Sequence, residues 1–185
     1  MFIQTEETPN PLTLKFIPGQ KVAEGTLEYK NKEEAKSSEL ATILFKNSNV
    51  TNVFFGSDFI SITKTEDTSW EALKPDILSK IMDFFSSGGM VNEKSVSSSD
   101  IKESYKKEDE KIVNEIKILL DEKIKPAVAQ DGGDISFIKF DEGVVFLQLR
   151  GACAGCPSST LTLKSGIENM LKYYIPEIVS VEAIN

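Results

Sequence analysis

The chain contains no histidine and only two cysteines, Cys153 and Cys156, among its 185 residues. The absence of histidine excludes hydrolases built on a catalytic His, zinc or iron held by His, and haem bound through a proximal His. In a reducing interior the two thiols would not act as a structural disulfide. Any distinctive metal or redox chemistry therefore depends on these two sulfurs.

The sequence also has no apolar run near the roughly 20 residues that a membrane-spanning helix needs. Acidic residues outnumber basic ones 29 to 21, a formal charge of −8 that disfavours nucleic acid and anionic membranes as partners. Residues 1–7 lack the basic and apolar regions of a secretory signal and are too acidic for a transit peptide. We expect a bacterial cytoplasmic protein, or alternatively one in the mitochondrial matrix after removal of a presequence.

Composition along the chain predicts two small α+β domains. Residues 86–108 are rich in Ser, Gly and mixed charges, which is typical of a flexible linker. The predicted domains are therefore residues 1–85 and 109–185. Hydrophobic residues make up 40% of the chain and charged residues 27%, as in ordinary globular proteins.

In residues 1–85, alternating apolar residues predict a strand at 12–16, and the turn at 56–58 predicts a hairpin. Phe54, Phe55 and Phe59 are assigned to the core of this domain. Leu73, Ile77 and Ile81 recur at helical spacing, and Pro75 predicts a helix start near Lys74 rather than at Trp70.

Residues 109–185 predict the order α-β-β-α-β, with both helices on one face of a three-stranded sheet. The first helix is expected over 109–125 and is expected to end at Pro126. Strands follow at 135–140 and 144–149, joined by a short loop that contains Gly143. A second helix follows the cysteine segment, and 178–183 forms the closing strand.

The cysteine segment leaves a strand and enters a helix. Gly151 and Gly155 allow tight turns beside the sulfurs. Pro157 suits the first helical position, which would make Cys156 the N-cap residue, where the helix dipole favours a thiolate. Two cysteines separated by two residues also resemble half of a four-sulfur metal site.

Completing such a site requires a second copy of the chain. Iron–sulfur clusters are typically held by four thiolates, and a twofold dimer would supply two copies of Cys153 and Cys156. We expect that site to be exposed, as suits a carrier. The alternatives are a thioredoxin-like thiol–disulfide oxidoreductase, a zinc-bridged structural dimer and an inert buried cysteine pair.

Two further features lie close to the cysteines. Arg150, the chain's only arginine, could offset the charge of a bound cluster, but we expect an exposed cation at a strand end. Residues 131–134 read Asp-Gly-Gly-Asp and predict a turn, because two carboxylates are too few for a calcium site.

Several segments resemble one known family. Residues 131–135, 151–160 and 162–168 are similar to the NifU-like domain, and residues 8–11, 14–16 and 55–60 resemble the N-terminal domain of the Nfu family. Lys125 is a small departure, since we expect Arg there. The resemblance implies a homodimer that is not an enzyme, that holds a [4Fe–4S] cluster through Cys153 and Cys156, and that passes it from an upstream assembly scaffold to client apoproteins.

Overall fold

The structure, a computed structural model, describes residues 2–91, 103–155 and 157–184. These residues fall into two compact units, one on each side of the gap at 92–102. Both units combine helices with a β-sheet, which confirms the predicted α+β class. No described helix has both the length and the apolar character needed to cross a bilayer.

The first unit is a five-stranded antiparallel sheet with two helices. Its elements are β1 Gln4–Glu7, β2 Thr13–Ile17, β3 Leu27–Tyr29, α1 Glu39–Leu44, β4 Val50–Phe55, β5 Ile60–Lys64 and α2 Trp70–Ser86. The sheet order is β1-β2-β5-β4-β3. The hairpin predicted around residues 56–58 joins β4 and β5 and is confirmed.

Helix α2 supplies the main helical contribution to this core. Leu73, Ile77 and Ile81 are buried and belong to the same apolar cluster as alternate residues of the sheet. Full burial of one such isoleucine side chain contributes about 1.5–3 kcal/mol to folding. The predicted burial of Phe54, Phe55 and Phe59 is confirmed.

The expected start of α2 near Lys74 is wrong. The helix begins at Trp70 because Ser69 caps it, accepting the Ala72 N–H at 3.4 Å. Pro75 lies within the helix, so its missing N–H leaves the Glu71 carbonyl without its usual helical donor. Glu71 is exposed, where water can replace that donor.

The second unit has the predicted α-β-β-α-β order. Its elements are α3 Glu110–Leu119, a π-helical turn Leu120–Ile124, α4 Lys125–Gln130, β6 Gly133–Asp141, β7 Val144–Gly151, α5 Pro157–Tyr174 and β8 Ser180–Ile184. Strands β6 and β7 are antiparallel, and β8 is parallel to β7 at the sheet edge. Inward-facing residues of the strands join apolar helix residues in one core: Ile135, Phe137, Val145, Leu147, Leu149 and Val181 from the sheet, and Val113, Ile116, Ile167 and Leu171 from the helices.

The prediction that the first helix of this unit ends at Pro126 is wrong. The chain widens into the π-helical turn and then continues as α4 to Gln130. Pro126 is the second residue of α4, in a first turn where proline is tolerated. The proline therefore lies near the start of a new helical segment and does not end the helical path.

Part of the predicted linker, residues 92–102, lies outside the described residues. On one side of that gap, Val91 belongs to the first core. On the other side, Ser104 pairs with β6: its N–H donates to the Ile138 carbonyl, and its carbonyl accepts the Phe140 N–H, both at 3.0 Å. Thus the described ends of the linker pack onto the two units.

Candidate functional site

The candidate site lies where β6 begins and β7 ends. The antiparallel register places Gly133 opposite Gly151, so the chain entering β6 runs beside the chain leaving β7. The Ala152 N–H donates to the Gly132 carbonyl at 3.1 Å and extends this pairing by one residue. Cys153 is consequently held against the start of β6.

The Cys153 sulfur packs directly on Gly133. A Cβ atom built on Gly133 would lie 2.4 Å from the Cys153 Sγ and 2.8 Å from the Arg150 carbonyl oxygen. Both distances are too short for any side chain, so this contact requires glycine. Gly132 has φ of 79° and also adopts a backbone conformation that favours glycine.

Cys153 is only 6% exposed, so the expectation of an exposed site is wrong for this sulfur. It belongs to the apolar cluster of the second unit. Burial, followed by the negative charges of Asp131 and Asp134, raises the pKa of the Cys153 thiol to about 12. At neutral pH the cluster-free chain therefore carries Cys153 as a protonated thiol.

Cys156, the second predicted ligand, lies outside the described residues. The helix predicted to follow it is present, and Pro157 is its first residue as expected.

Two glycines flank the loop that carries Cys153. Gly151 has φ of 64° and Gly155 has φ of 79°, which confirms the tight turns expected at both positions. The Ala154 N–H donates to the Gly151 carbonyl at 3.1 Å, and the Thr160 hydroxyl donates to the Cys153 carbonyl at 3.2 Å. Thr160, in the first turn of α5, therefore links the loop to that helix.

Arg150 is 8% exposed, which contradicts the expectation of an exposed cation. Its Nη2 donates to the Asp134 Oδ2 at 2.5 Å and to the Ser136 hydroxyl at 3.1 Å. The reason is the β6–β7 register, which places Asp134 opposite Arg150. In the sequence, the signal for this grouping is the spacing of Asp134 and Ser136. They are two residues apart on one strand, so their side chains lie on the same face of the sheet.

One copy of the chain offers no complete metal site within its described part. Across residues 2–91, 103–155 and 157–184, no group of three or more Cys, Asp or Glu side chains could hold a metal ion. Asp131 and Gly132 form a turn between α4 and β6, and Gly133 and Asp134 begin β6, which confirms the predicted turn.

Comparison with known proteins identifies the family. Residues 3–88 match the family model "Scaffold protein Nfu/NifU N terminal", and residues 116–182 match "NifU-like domain". A human protein named "NFU1 iron-sulfur cluster scaffold homolog, mitochondrial" is 49% identical over 187 residues, covering 100% of this chain and 72% of that protein. The chain belongs to the Nfu family of iron–sulfur cluster scaffold proteins.

A second curated relative agrees with this Nfu-family assignment. "NifU-like protein 5, mitochondrial" from Arabidopsis thaliana is 47% identical over 185 residues, covering 98% of this chain and 67% of that protein. A solution structure of a NifU-like protein from Saccharomyces cerevisiae aligns with 51% of this chain and 87% of its own, at 26% identity and a TM-score of 0.46. The assignment rests on the sequence matches.

Proposed function

We propose that this chain is an iron–sulfur cluster carrier that binds a [4Fe–4S] cluster between two copies of itself and transfers it to client apoproteins. The observation that carries the proposal is the number of sulfur donors. The chain has two cysteines and no histidine, whereas a [4Fe–4S] cluster takes four thiolates. Two copies, each contributing Cys153 and Cys156, supply that number.

Cluster binding requires Cys153 to leave its buried position, because a sulfur packed on Gly133 cannot reach an iron atom shared with a second chain. The loop is suited to that movement. Gly151 and Gly155 lie on either side of Cys153, and glycine changes backbone conformation at little steric cost. We infer that Cys153 turns outward when the cluster binds and returns to Gly133 when the cluster leaves.

Transfer then proceeds by exchange of thiolates. Each client thiolate that binds an iron atom releases one carrier thiolate, so the cluster keeps its iron and sulfide throughout. The released Cys153 takes up a proton when it returns to its buried position, where the thiol form is favoured. No substrate is chemically converted in this exchange, and we assign the chain a carrier role, not an enzymatic one.

A shared cluster also couples binding to dimerisation. Removing the cluster removes the bonds between the two copies, so the cluster-free chain should associate more weakly. Dilution should likewise promote loss of the cluster. An upstream cluster-assembly scaffold would supply the cargo, and the first unit would contribute to partner contact.

The names of the relatives bear on the cellular compartment in which this chain acts. Both relatives described above carry the word mitochondrial in their names, which supports the matrix alternative for this chain. The bacterial cytoplasm stays a prediction that no comparison tests.

Anaerobic reconstitution with iron and sulfide tests the proposal. The carrier should turn brown and contain about four irons for every two chains. A zinc-bridged dimer would bind one metal for every two chains and no sulfide, and an oxidoreductase would stay colourless while reducing disulfides. Either of those results would overturn the proposal.

Two matched variants assign the ligands. Cys153→Ser and Cys156→Ser should each abolish stable cluster binding while far-ultraviolet circular dichroism shows a folded chain. A stable cluster in either variant would contradict the assignment of four cysteine ligands.

A further inference from the structure

A buried ion pair lies one strand position from the contact that holds the Cys153 sulfur. Asp134 and Arg150 face each other across β6 and β7, next to the facing pair Gly133 and Gly151. The Asp134 and Arg150 side chains are only 12% and 10% exposed. The charges therefore lie within the sheet that frames the candidate site.

A buried ion pair is not by itself a source of stability. Removing two charges from water is costly, and apolar residues of similar volume often stabilise a fold as well or better. Arg150 is also incompletely satisfied, because its buried Nε has no hydrogen-bond partner among the described residues. A buried pair one strand position from Gly133, on which the proposed ligand packs, is a candidate for a role in cluster binding.

The charge of the bound cluster determines whether Asp134 strengthens or weakens cluster binding. A cluster bound by four thiolates is anionic, because the thiolates outweigh the positive charge of the iron–sulfide core. A nearby carboxylate repels it, and burial leaves that repulsion poorly screened by solvent and salt. Asp134 directly follows Gly133, on which the Cys153 sulfur packs, so this charge lies one residue from the contact made by the proposed ligand.

We propose that Asp134 weakens the hold of the site on its anionic cluster and so favours release to clients, while Arg150 limits this repulsion as the counterion of Asp134. The proposal rests on the carrier function proposed above. Neither residue binds iron. Both act through the electrostatic potential at Cys153 and so affect how readily the cluster is released.

The variant Asp134→Asn separates this role from a structural one. In the full-length, cluster-loaded protein, loss of the cluster to a ferrous-iron chelator should slow by about threefold or more, because one buried negative charge is removed. The cluster-free chain should nevertheless unfold more easily, because Arg150 loses its partner. A purely structural ion pair predicts lower stability together with faster cluster loss, and that result would overturn the proposal.

Asp141→Asn is the matched control. Asp141 lies at the other end of the same strand and pairs with Lys139 at 2.8 Å, with both side chains about 40% exposed. Its substitution should leave the rate of cluster loss unchanged. An equal slowing in this control would mean that general surface charge, not the buried pair, sets the rate.

Two other variants extend the test. Arg150→Gln should speed cluster loss, because the Asp134 charge is no longer offset. Asp131→Asn should slow it to a smaller extent, since Asp131 is exposed and makes no ion pair among the described residues. Asp131→Asn keeps the proposal testable if Asp134→Asn does not fold.

The outcomes also distinguish this proposal from the carrier function itself. If the unaltered chain takes up no cluster, both are overturned. If it takes up a cluster, but neither Asp134→Asn nor Asp131→Asn slows its loss, the carrier function stands and only the role of Asp134 fails.

Discussion

Gly133 and Cys153 are in direct contact: a Cβ atom on Gly133 would lie 2.4 Å from the Cys153 Sγ. The contact joins the first residue of β6 to the loop after β7, so it depends on the register of the two strands. It places a proposed cluster ligand in a buried position that only glycine permits. Under the proposed function, this contact is present in the cluster-free chain and is broken when the cluster binds.

Gly133→Ala should disrupt that contact. The new methyl group clashes with both the sulfur and the Arg150 backbone, and overpacking of this kind costs about 1–3 kcal/mol. We expect a lower urea midpoint for the second unit and greater exposure of Cys153 to alkylating reagents.

Gly166→Ala is the control for this substitution. Gly166 lies within α5, and a Cβ atom there meets no heavy atom within 4 Å. Because alanine is the better helix former, this change should stabilise the helix by about 0.5–1 kcal/mol. Equal stability of the two variants would contradict the close contact at Gly133.

The raised pKa of Cys153 predicts slow alkylation of the cluster-free chain. In Cys156→Ser, where Cys153 is the only thiol, the native chain should react with iodoacetamide at least tenfold more slowly at pH 8 than the same chain in denaturant. The rate should keep rising toward pH 12, near the pKa of the buried thiol.

The raised pKa of Cys153 also makes the stability of the fold depend on pH. The folded pKa lies above the ordinary value of 9.0, so the protonated thiol stabilises the fold fully below pH 9. That contribution is lost as the pH rises from 9 through about 12. Cys153→Ser should lack this alkaline dependence, and an identical dependence in both proteins would contradict the assignment.

The sequence predicted the elements better than it predicted their contacts. The order of elements in the second unit follows from alternating and helical apolar patterns, and it is confirmed. The two wrong helix boundaries both involve proline. At Pro75 the cap at Ser69 outweighs the proline, and at Pro126 the preceding π-helical turn places the proline in a first turn.

The candidate site was less accessible to sequence reasoning. Cys153 and the neighbouring glycines stand out by type and spacing, but burial of the sulfur depends on which residue of β6 faces Gly151. The same register decides that Arg150 meets Asp134. Strand register depends on both paired strands, so it cannot be predicted from the sequence of either strand alone.

Glu168 should hold the closing strand to α5. Its carboxylate accepts the Val181 N–H at 3.0 Å and the Lys172 Nζ at 2.6 Å. Glu168→Ala should therefore speed hydrogen exchange at the Val181 amide several-fold. Glu182→Ala, which removes a pairing with Lys164 but keeps the acceptor of that amide, serves as the control.

Glu168 also predicts a pH dependence of this exchange. Its pKa is lowered, mainly by the hydrogen bond from Lys172 and then by the Val181 N–H. A lowered pKa contributes stability above the ordinary value of 4.5 that is lost as the pH falls below it. This role would be contradicted if hydrogen exchange at the Val181 amide changed neither in Glu168→Ala nor when the pH is lowered below 4.5.

Tyr105 should stabilise the second unit although it lies in the predicted linker. Its ring meets Phe137 edge-on at 6.3 Å, and the Lys117 Nζ lies 5.7 Å from its centroid. Tyr105→Ala should destabilise this unit by about 1–2 kcal/mol. Tyr173→Ala is the control, because Tyr173 is 81% exposed and its loss should change stability by less than about 0.5 kcal/mol.

Urea unfolding measures the Tyr105 effect for the second unit. Circular dichroism follows both units, whereas Trp70, the only tryptophan, reports the first unit by fluorescence. The Tyr105→Ala shift should appear in the circular dichroism transition and leave the Trp70 transition in place. A shift of the Trp70 transition alone would contradict the contact with Phe137.

Sedimentation of the anaerobic protein at graded cluster content tests the account most directly. We predict that the dimer fraction rises in proportion to bound iron, reaching two chains for each cluster, and falls when a chelator removes the iron. An iron-loaded chain that sediments as a monomer without any added thiol would contradict the claim that two copies complete the site.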